Sequence, residues 1–383
     1  MKKLGNYLFI IGFAAILFMP VILKYGGARY GLSGVSTAAE FPEINRKGIL
    51  DGTVQDMAGT YFSEHLPGRD LMIKVRNQMI YSLYDKSPNK NIIIGKNKNL
   101  FEEEYVSKYV RVYPPVKEEK VRQLCDSLTA IRDALALRGK EFYVFITPGK
   151  ARYYEEDVPD LYYYAAPFKE REGNYEVFTR VLNDYDLAVY DSIPFLNEYG
   201  SNAPVPLFPK TGTHWTRVTG AYVADDFKCF LGEHSRFKFP DMRISYAPSE
   251  TPVSPDSDLF DTFNVFSKPY DTYYSVEVET EAAANEQEEK PRLMCRGGSF
   301  MGQTIYYLIR GGLFGGDLYV ENTDVYRDNY SSHETFSDYS ELDLKQALEE
   351  TDIVIFEVNE AHIPVMGFGI IEYLEEHPEI LEN

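Results

Sequence analysis

"RLMCRGGSFMGQT", residues 292–304, carries an apolar stretch, Leu293-Met294-Cys295, into Gly297-Gly298 and then Ser299 and Phe300. Such a run is either a strand closing in a plain turn or a nucleophile elbow, where a sharp strand-to-helix bend presents a serine hydroxyl. Its surroundings favour the elbow. From about residue 140 onward, short apolar segments bounded by Gly, Pro or Asp alternate with helical periodicity. "EFYVFITPGK" (141–150), "YDLAVYDS" (185–192), "RLMCRGGSF" (292–300), "GDLYVENTD" (316–324) and "DIVIFEVNEA" (352–361) read as strands. Residues 117–138, 173–184, 216–232 and 343–350 read as helices, and another follows Ser299 through Tyr307. Apolar strands separated by helices predict an α/β fold with a parallel sheet flanked by helices. Ligands of such sheets bind beyond the carboxyl ends of the strands. Ser299 stands just past one of those ends.

Nearer the N-terminus, residues 53–64 and 69–84 show helical spacing, with Leu71, Val75, Met79 and Leu83 on one stripe. "NIIIG" (91–95) reads as a short strand, and "KNKNLF" as a turn and a second one. Residues 41–110 are read as an N-terminal extension and 111–383 as a catalytic core, together one domain over 41–383. Residues 25–40 are a Gly/Ser/Ala-rich linker. Ahead of it, Lys2 and Lys3 precede 17 apolar or near-apolar residues, 7–23. A spanning helix needs about 20, with a lower limit near 17. The apolar region of a cleaved signal is usually about 7–15 long with a small-x-small exit, and none follows directly. Residues 1–24 are therefore read as a signal-anchor and the body as extracytoplasmic; a cleaved signal would put the body on the same side.

The formal net charge of −20 repels phosphates, so nucleic-acid binding is excluded. Cys125, Cys229 and Cys295 form no zinc-type spacing, and no metal or cofactor is expected. The Glu-rich stretch 279–289 reads as an exposed loop or hairpin tip.

A serine hydroxyl needs a base to become a nucleophile. Of the six histidines, His214 in "FPKTGTHWTRVTGAY" follows a Pro/Gly-rich loop and opens a helix, a natural station for that base. An unreactive residue at a helix start is the plainer reading of it.

Several stretches, in order, resemble the alginate O-acetyltransferase-like (AlgX/AlgJ-type) family of SGNH-hydrolase-fold proteins. They are "FPEINRKGI", "YFSEHLPGRDLMIKVRNQMIYSLYDKSPNKNIIIGKNKNLF", "VFITPGKARYYEEDVP", "TGTHWT…GAY", "RGGSF" and "DIVIFEVNEAHI", spread over residues 41–362. The resemblance implies Ser299 as nucleophile, His214 as general base and the amides around Gly298 and Ser299 as oxyanion donors. It implies acetyl transfer, through an acyl-serine, to hydroxyls of a cell-surface polysaccharide. It also implies a membrane-bound O-acyltransferase as acyl donor.

The chain departs from the family where Asp-x-His is usual: the Asp position is Gly212. Three accounts are open. Asp225, Asp226, Glu357 or Glu360 substitutes; a dyad oriented by a backbone carbonyl or by Thr211 or Thr213 suffices; or the protein is catalytically weak. Lys150, past a strand end, either holds substrate or is an ordinary surface lysine. Glu357 and Asn359 alternate on the last strand, and a carboxylate in an apolar strand calls for a partner or a site. Trp215 either stacks on a sugar or fills the core, and the core reading is preferred. Two further functions stay open: a carbohydrate acetylesterase, with water as acceptor, and a non-catalytic polysaccharide-binding or scaffold member of an export complex.

Overall fold

The computed structural model describes residues 2–26, 30–34, 39–280, 290–328 and 330–382, apart from the side chains of 2, 3, 16, 20, 21, 24–26 and 364. The chain forms two compact units, Met1–Ile92 with Leu259–Pro269, and Ile93–Asp258 with Tyr270–Asn383.

The first unit holds helices α1 (Lys2–Gly26), α2 (Arg46–Asp51), α3 (Thr53–Glu64) and α4 (Arg69–Tyr84). α3 and α4 occupy the two stretches whose periodicity predicts them. Asn45 caps α2, its Oδ1 accepting the Gly48 amide at 2.7 Å. Buried Asn77 of α4 donates to Phe263 O at 2.8 Å, which ties segment 259–269 into this unit. The spanning anchor expected over residues 1–24 is not supported: among the described residues no helix is long and apolar enough to cross a membrane. Its apolar run of 17 stands at the lower limit of a bilayer's thickness. The linker lies partly outside the described residues.

The second unit carries most of the strands, which along the chain are β1 (Ile92–Ile94), β2 (Leu100–Glu102), β3 (Glu141–Thr147), β4 (Val189–Asp191), β5 (Met242–Ser249), β6 (Tyr273–Thr280), β7 (Arg292–Gly297), β8 (Gly316–Glu321), β9 (Asp324–Arg327), β10 (Ser332–Thr335) and β11 (Ile353–Asn359). Its helices are α5 (Glu103–Tyr109), α6 (Glu118–Leu137), α7 (Asp160–Tyr164), α8 (Asn174–Leu182), α9 (Ser192–Gly200), α10 (Arg217–His234), then α11 (Asp258–Asp261), which begins on its last residue before the segment change, α12 (Ser299–Arg310), α13 (Leu344–Glu349) and α14 (Ile370–Glu376).

The main sheet has seven strands in the order β10-β9-β8-β7-β11-β3-β4. β8, β7, β11, β3 and β4 run parallel. Both faces are covered. Val121, Cys125, Leu128, Ile131 and Leu135 of α6 pack on one face with α8, α13 and α14, while α9, α10 and α12 pack on the other. Burial from both sides explains why these strands read as continuous apolar runs rather than alternating ones.

The sheet is mixed, not wholly parallel. The segment read as one strand over 316–324 is the hairpin β8–β9, which turns at Asn322-Thr323 with Asn322 at φ 48°. β10 adds a second antiparallel strand at that edge. The strand expected over 185–192 shrinks to Val189–Asp191. β5 pairs with β6 in a separate antiparallel ribbon that the sequence conceals, because Pro248 sits within it. The expected loop 279–289 begins at the end of that ribbon, and residues 281–289 lie outside the described residues.

Candidate active site

β7 is buried along nearly its whole length and delivers its chain end to the base of α12. Of its two closing glycines, Gly297 is needed for space. A Cβ there would stand 2.9 Å from Glu357 Cβ and 3.0 Å from Met301 Cβ. Gly298 is the N-cap of α12 in extended backbone at φ −88°, with only an ordinary 3.5 Å contact awaiting a Cβ. The bend is therefore made by close packing of β7, β11 and α12, not by a left-handed glycine. Ser299 is the first residue of α12 and is exposed.

Ser299 Oγ lies 2.6 Å from His214 Nε2. His214 Nδ1 lies 2.6 Å from Asp258 Oδ2. An ionised carboxylate only accepts. Nδ1 then carries the proton, and Nε2 is left to accept from the serine hydroxyl. The other carboxylate oxygen of Asp258 accepts the Thr213 amide at 2.9 Å, so one side chain fixes both His214 and the residue before it. His214 is buried beneath Phe300, whose ring centroid is 4.8 Å away. Burial alone would hold the imidazole neutral; the Asp258 charge and hydrogen bond, with Glu102 and Glu321, outweigh it and raise its pKa above the ordinary 6.5.

The carboxylate expected from Asp225, Asp226, Glu357 or Glu360 is supplied instead by Asp258, 44 residues beyond His214. Each of the four has other company. Asp225 pairs with Lys228 at 2.9 Å, and Asp226 accepts from Tyr190 at 2.7 Å. Glu360 accepts the Gly149 amide at 2.7 Å and pairs with Arg152. Glu357 accepts from Thr147 Oγ1 at 2.5 Å and from the Gly298 amide at 2.7 Å. That last bond corrects the oxyanion expectation for Gly298, whose N–H is already committed. Burial pushes the Glu357 carboxyl up, against the opposing pull of those two donors and of Arg296. The sequence signal for Asp258 was slight: an unfilled family position and three closely spaced aspartates, Asp256, Asp258 and Asp261.

Lys150 is neither a surface nor a cleft lysine. It is 3% exposed, and its Nζ donates to Leu100 O at 2.8 Å, Pro209 O at 2.5 Å and Gly212 O at 2.8 Å. It thereby clasps the loop that presents His214. Burial pushes its pKa down to about 7, with Asp258, Asp271 and Asp157 pulling the other way. Gly212 lies in this packed loop, where a Cβ would stand 2.7 Å from Asp256 O. Asn359 is structural in its contacts: it donates to Pro148 O at 2.7 Å and accepts the Ala361 amide at 3.0 Å. Trp215 is fully buried, edge-on to Phe300 at 5.1 Å, and fills the core.

A cavity of about 340 Å³ opens beside Ser299, walled by tyrosines, with Arg217, Gln303 and Glu321 on its lining. Among the described residues no cluster of His, Cys, Asp and Glu is placed to hold a metal ion.

The family model for the SGNH hydrolase-like domain of acetyltransferase AlgX matches residues 92–227, a stretch that contains His214 and stops before Asp258 and Ser299. A probable alginate O-acetylase, AlgJ of Pseudomonas putida, is 22% identical over 204 residues, covering 53% of this chain and 50% of that protein. The chain thus spans about half the length of the curated relative it matches. The O-acetyltransferase domain of P. putida AlgJ superposes with a TM-score of 0.47 at 15% identity, over 72% of this chain and 92% of that one. PatB1 of Bacillus cereus superposes with a TM-score of 0.48 at 12% identity, over 72% and 97%. Over residues 92–227 and the 204 residues shared with AlgJ, this chain is similar in sequence to the AlgX/AlgJ type of SGNH-hydrolase-like proteins.

Proposed function

We propose that the protein is an O-acetyltransferase that moves an acetyl group, through an acyl-serine at Ser299, to hydroxyls of a cell-surface polysaccharide. The observation carrying this reading is the unbroken relay Asp258–His214–Ser299, with 2.6 Å at each imidazole nitrogen. In the first half-reaction His214 Nε2 takes the Ser299 proton as Oγ attacks the acetyl carbonyl. The carbonyl electron pair moves to oxygen, and the Ser299 and Phe300 amides at the start of α12 are the donors proposed for that oxyanion, since the Met301 amide already donates to Gly298 O. Collapse breaks the bond to the leaving group, which departs with the proton from the imidazolium. In the second half an acceptor hydroxyl gives its proton to Nε2 and attacks the acyl-serine. Ser299 leaves and recovers the proton. Asp258 holds the tautomer and stabilises the imidazolium in both halves.

A membrane-bound O-acyltransferase would supply the acetyl group on the extracytoplasmic side. Attachment there is supported by α1, where Leu8, Ile10, Ile11, Phe13 and Leu17 are all exposed to solvent. Recovery of the full chain in the supernatant of a membrane fractionation would rule the attachment out.

The experiment on the chemistry is turnover of a chromogenic acetyl ester by the full chain, with an oligosaccharide present as acceptor. The wild type should accumulate an acetyl adduct that maps to Ser299, and Ser299→Ala should lose both adduct and turnover at an unchanged thermal midpoint. Full activity in Ser299→Ala would refute the reading. Release of acetate with no acetylated sugar would favour the carbohydrate acetylesterase. The motive for a non-catalytic scaffold, the missing carboxylate at position 212, is weakened by the Asp258–His214 contact.

A further inference from the structure

We infer that the cavity beside Ser299 is an acceptor subsite for an uncharged sugar residue, with Glu321 as the group that takes its hydroxyls and turns away uronic acid carboxylates. The inference rests on the acyl-transfer reading for the kind of acceptor and extends it to the acceptor's charge.

At about 340 Å³ the cavity lies at the small end of the range for small-molecule sites, roughly 300–1,000 Å³. One wall is a single face of α12: Ser299, then Gln303 at i+4 and Tyr306 at i+7. Facing it, Glu321 closes β8, and Tyr326 and Tyr330 follow with ring centroids 5.0 Å apart. Tyrosine rings offer flat apolar faces with polar rims, which suits the mixed C–H and O–H surface of a sugar ring. An ionised carboxylate only accepts, so Glu321 matches hydroxyl donors in short charge-assisted bonds. Its charge is among those that favour the protonated form of His214, which puts it on the reacting side of the cavity.

An acidic sugar would need a cation, and the cavity does not offer a free one. Among the described lining residues Arg217 is the sole candidate. Its Nε donates to Ser254 O at 3.1 Å, one terminal nitrogen donates to the same carbonyl, and the guanidinium sits 5.7 Å from the Tyr306 ring centroid. The Nε edge of that fork is therefore committed to a backbone carbonyl and is not presented as a bidentate carboxylate clamp. A uronate carboxylate would meet Glu321 unpaired, which is discrimination by repulsion.

The test is calorimetric titration of the full chain with neutral tetrasaccharides (gluco-, xylo- and N-acetylglucosamine-based) and with a tetragalacturonate of equal length. At least one neutral probe should bind roughly tenfold tighter than the uronate, about 1.4 kcal/mol. Glu321→Lys should reverse the order, and Tyr326→Ala should weaken the neutral probe alone. Equal or tighter binding of the uronate, no binding of any neutral probe, or an order unmoved by Glu321→Lys would each overturn the inference. Ester turnover measured on the same preparation separates the two claims. Turnover with the wrong selectivity sinks the subsite and spares the chemistry; selective binding without turnover does the reverse.

Discussion

The orienting carboxylate is one residue, and its identity sets two expectations. Asp258 reaches His214 Nδ1 at 2.6 Å while holding the Thr213 amide. Asp258→Asn keeps the shape but donates where it should accept, so kcat should fall by roughly 10²–10⁴ with little change in KM. His214 must be neutral to act as base, so activity is present above its folded pKa and lost as pH falls through it. Because that pKa is raised, the acid limb of the wild-type rate profile should lie above the ordinary 6.5. Removing the Asp258 charge should move the limb to lower pH even as turnover drops; a limb that stays put would contradict the assignment. Gly212 yields the second expectation. Restoring the family's carboxylate with Gly212→Asp should harm, because its Cβ would stand 2.7 Å from Asp256 O and 3.0 Å from Pro209 Cγ in a loop clasped by Lys150. Overpacking of this kind costs about 1–3 kcal/mol. A lowered thermal midpoint together with lost turnover is the expected result.

At the scale of elements, the site is the meeting of β7, β11 and the start of α12. Glu357, buried in β11, accepts the Gly298 amide and so pins the turn from strand to helix. The two glycines of that turn should respond differently. Gly297→Ala would thrust a methyl to within 3.0 Å of both Glu357 and Met301, and should cost about 1–3 kcal/mol in denaturant unfolding as strand and helix are forced apart. Gly298→Ala meets only a 3.5 Å contact in extended backbone, and its unfolding midpoint should stay near the wild type. Equal losses would mean the bend depends on backbone freedom after all. Thr216 shows the same economy at the other side of the site. It caps α10 by accepting the Thr219 amide and donates to Pro206 O, so the loop carrying His214 ends in a fixed direction.

For the molecule as a whole, the net charge of −20 acts on any polyanion before it reaches the cavity. Binding of an oligouronate should therefore tighten as ionic strength rises from about 0.01 to 0.15 M, where the screening length falls from roughly 30 to 8 Å. Binding of a neutral oligosaccharide should stay flat across the same series. Opposite slopes in a titration would show that charge repulsion does not govern access.

The sequence by itself determined what depends on near neighbours along the chain. The apolar strands, the helices α3, α4 and α6, the serine after Gly-Gly and the histidine before a helix are all local patterns, because strand burial and helix faces repeat over a few residues. It could not disclose the hairpin β8–β9, which turns on one asparagine, nor β5, whose proline argues against a strand. Tertiary structure alone decided the roles at the site. Asp258 lies 44 residues from His214 and Glu357 lies 59 from Gly298, and no periodicity links such positions. Lys150 reads as a surface lysine until four carbonyls close around it. A carboxylate or an ammonium does not encode its partner in its neighbours. Desolvation and hydrogen-bond geometry choose that partner, and both exist only once the chain has packed.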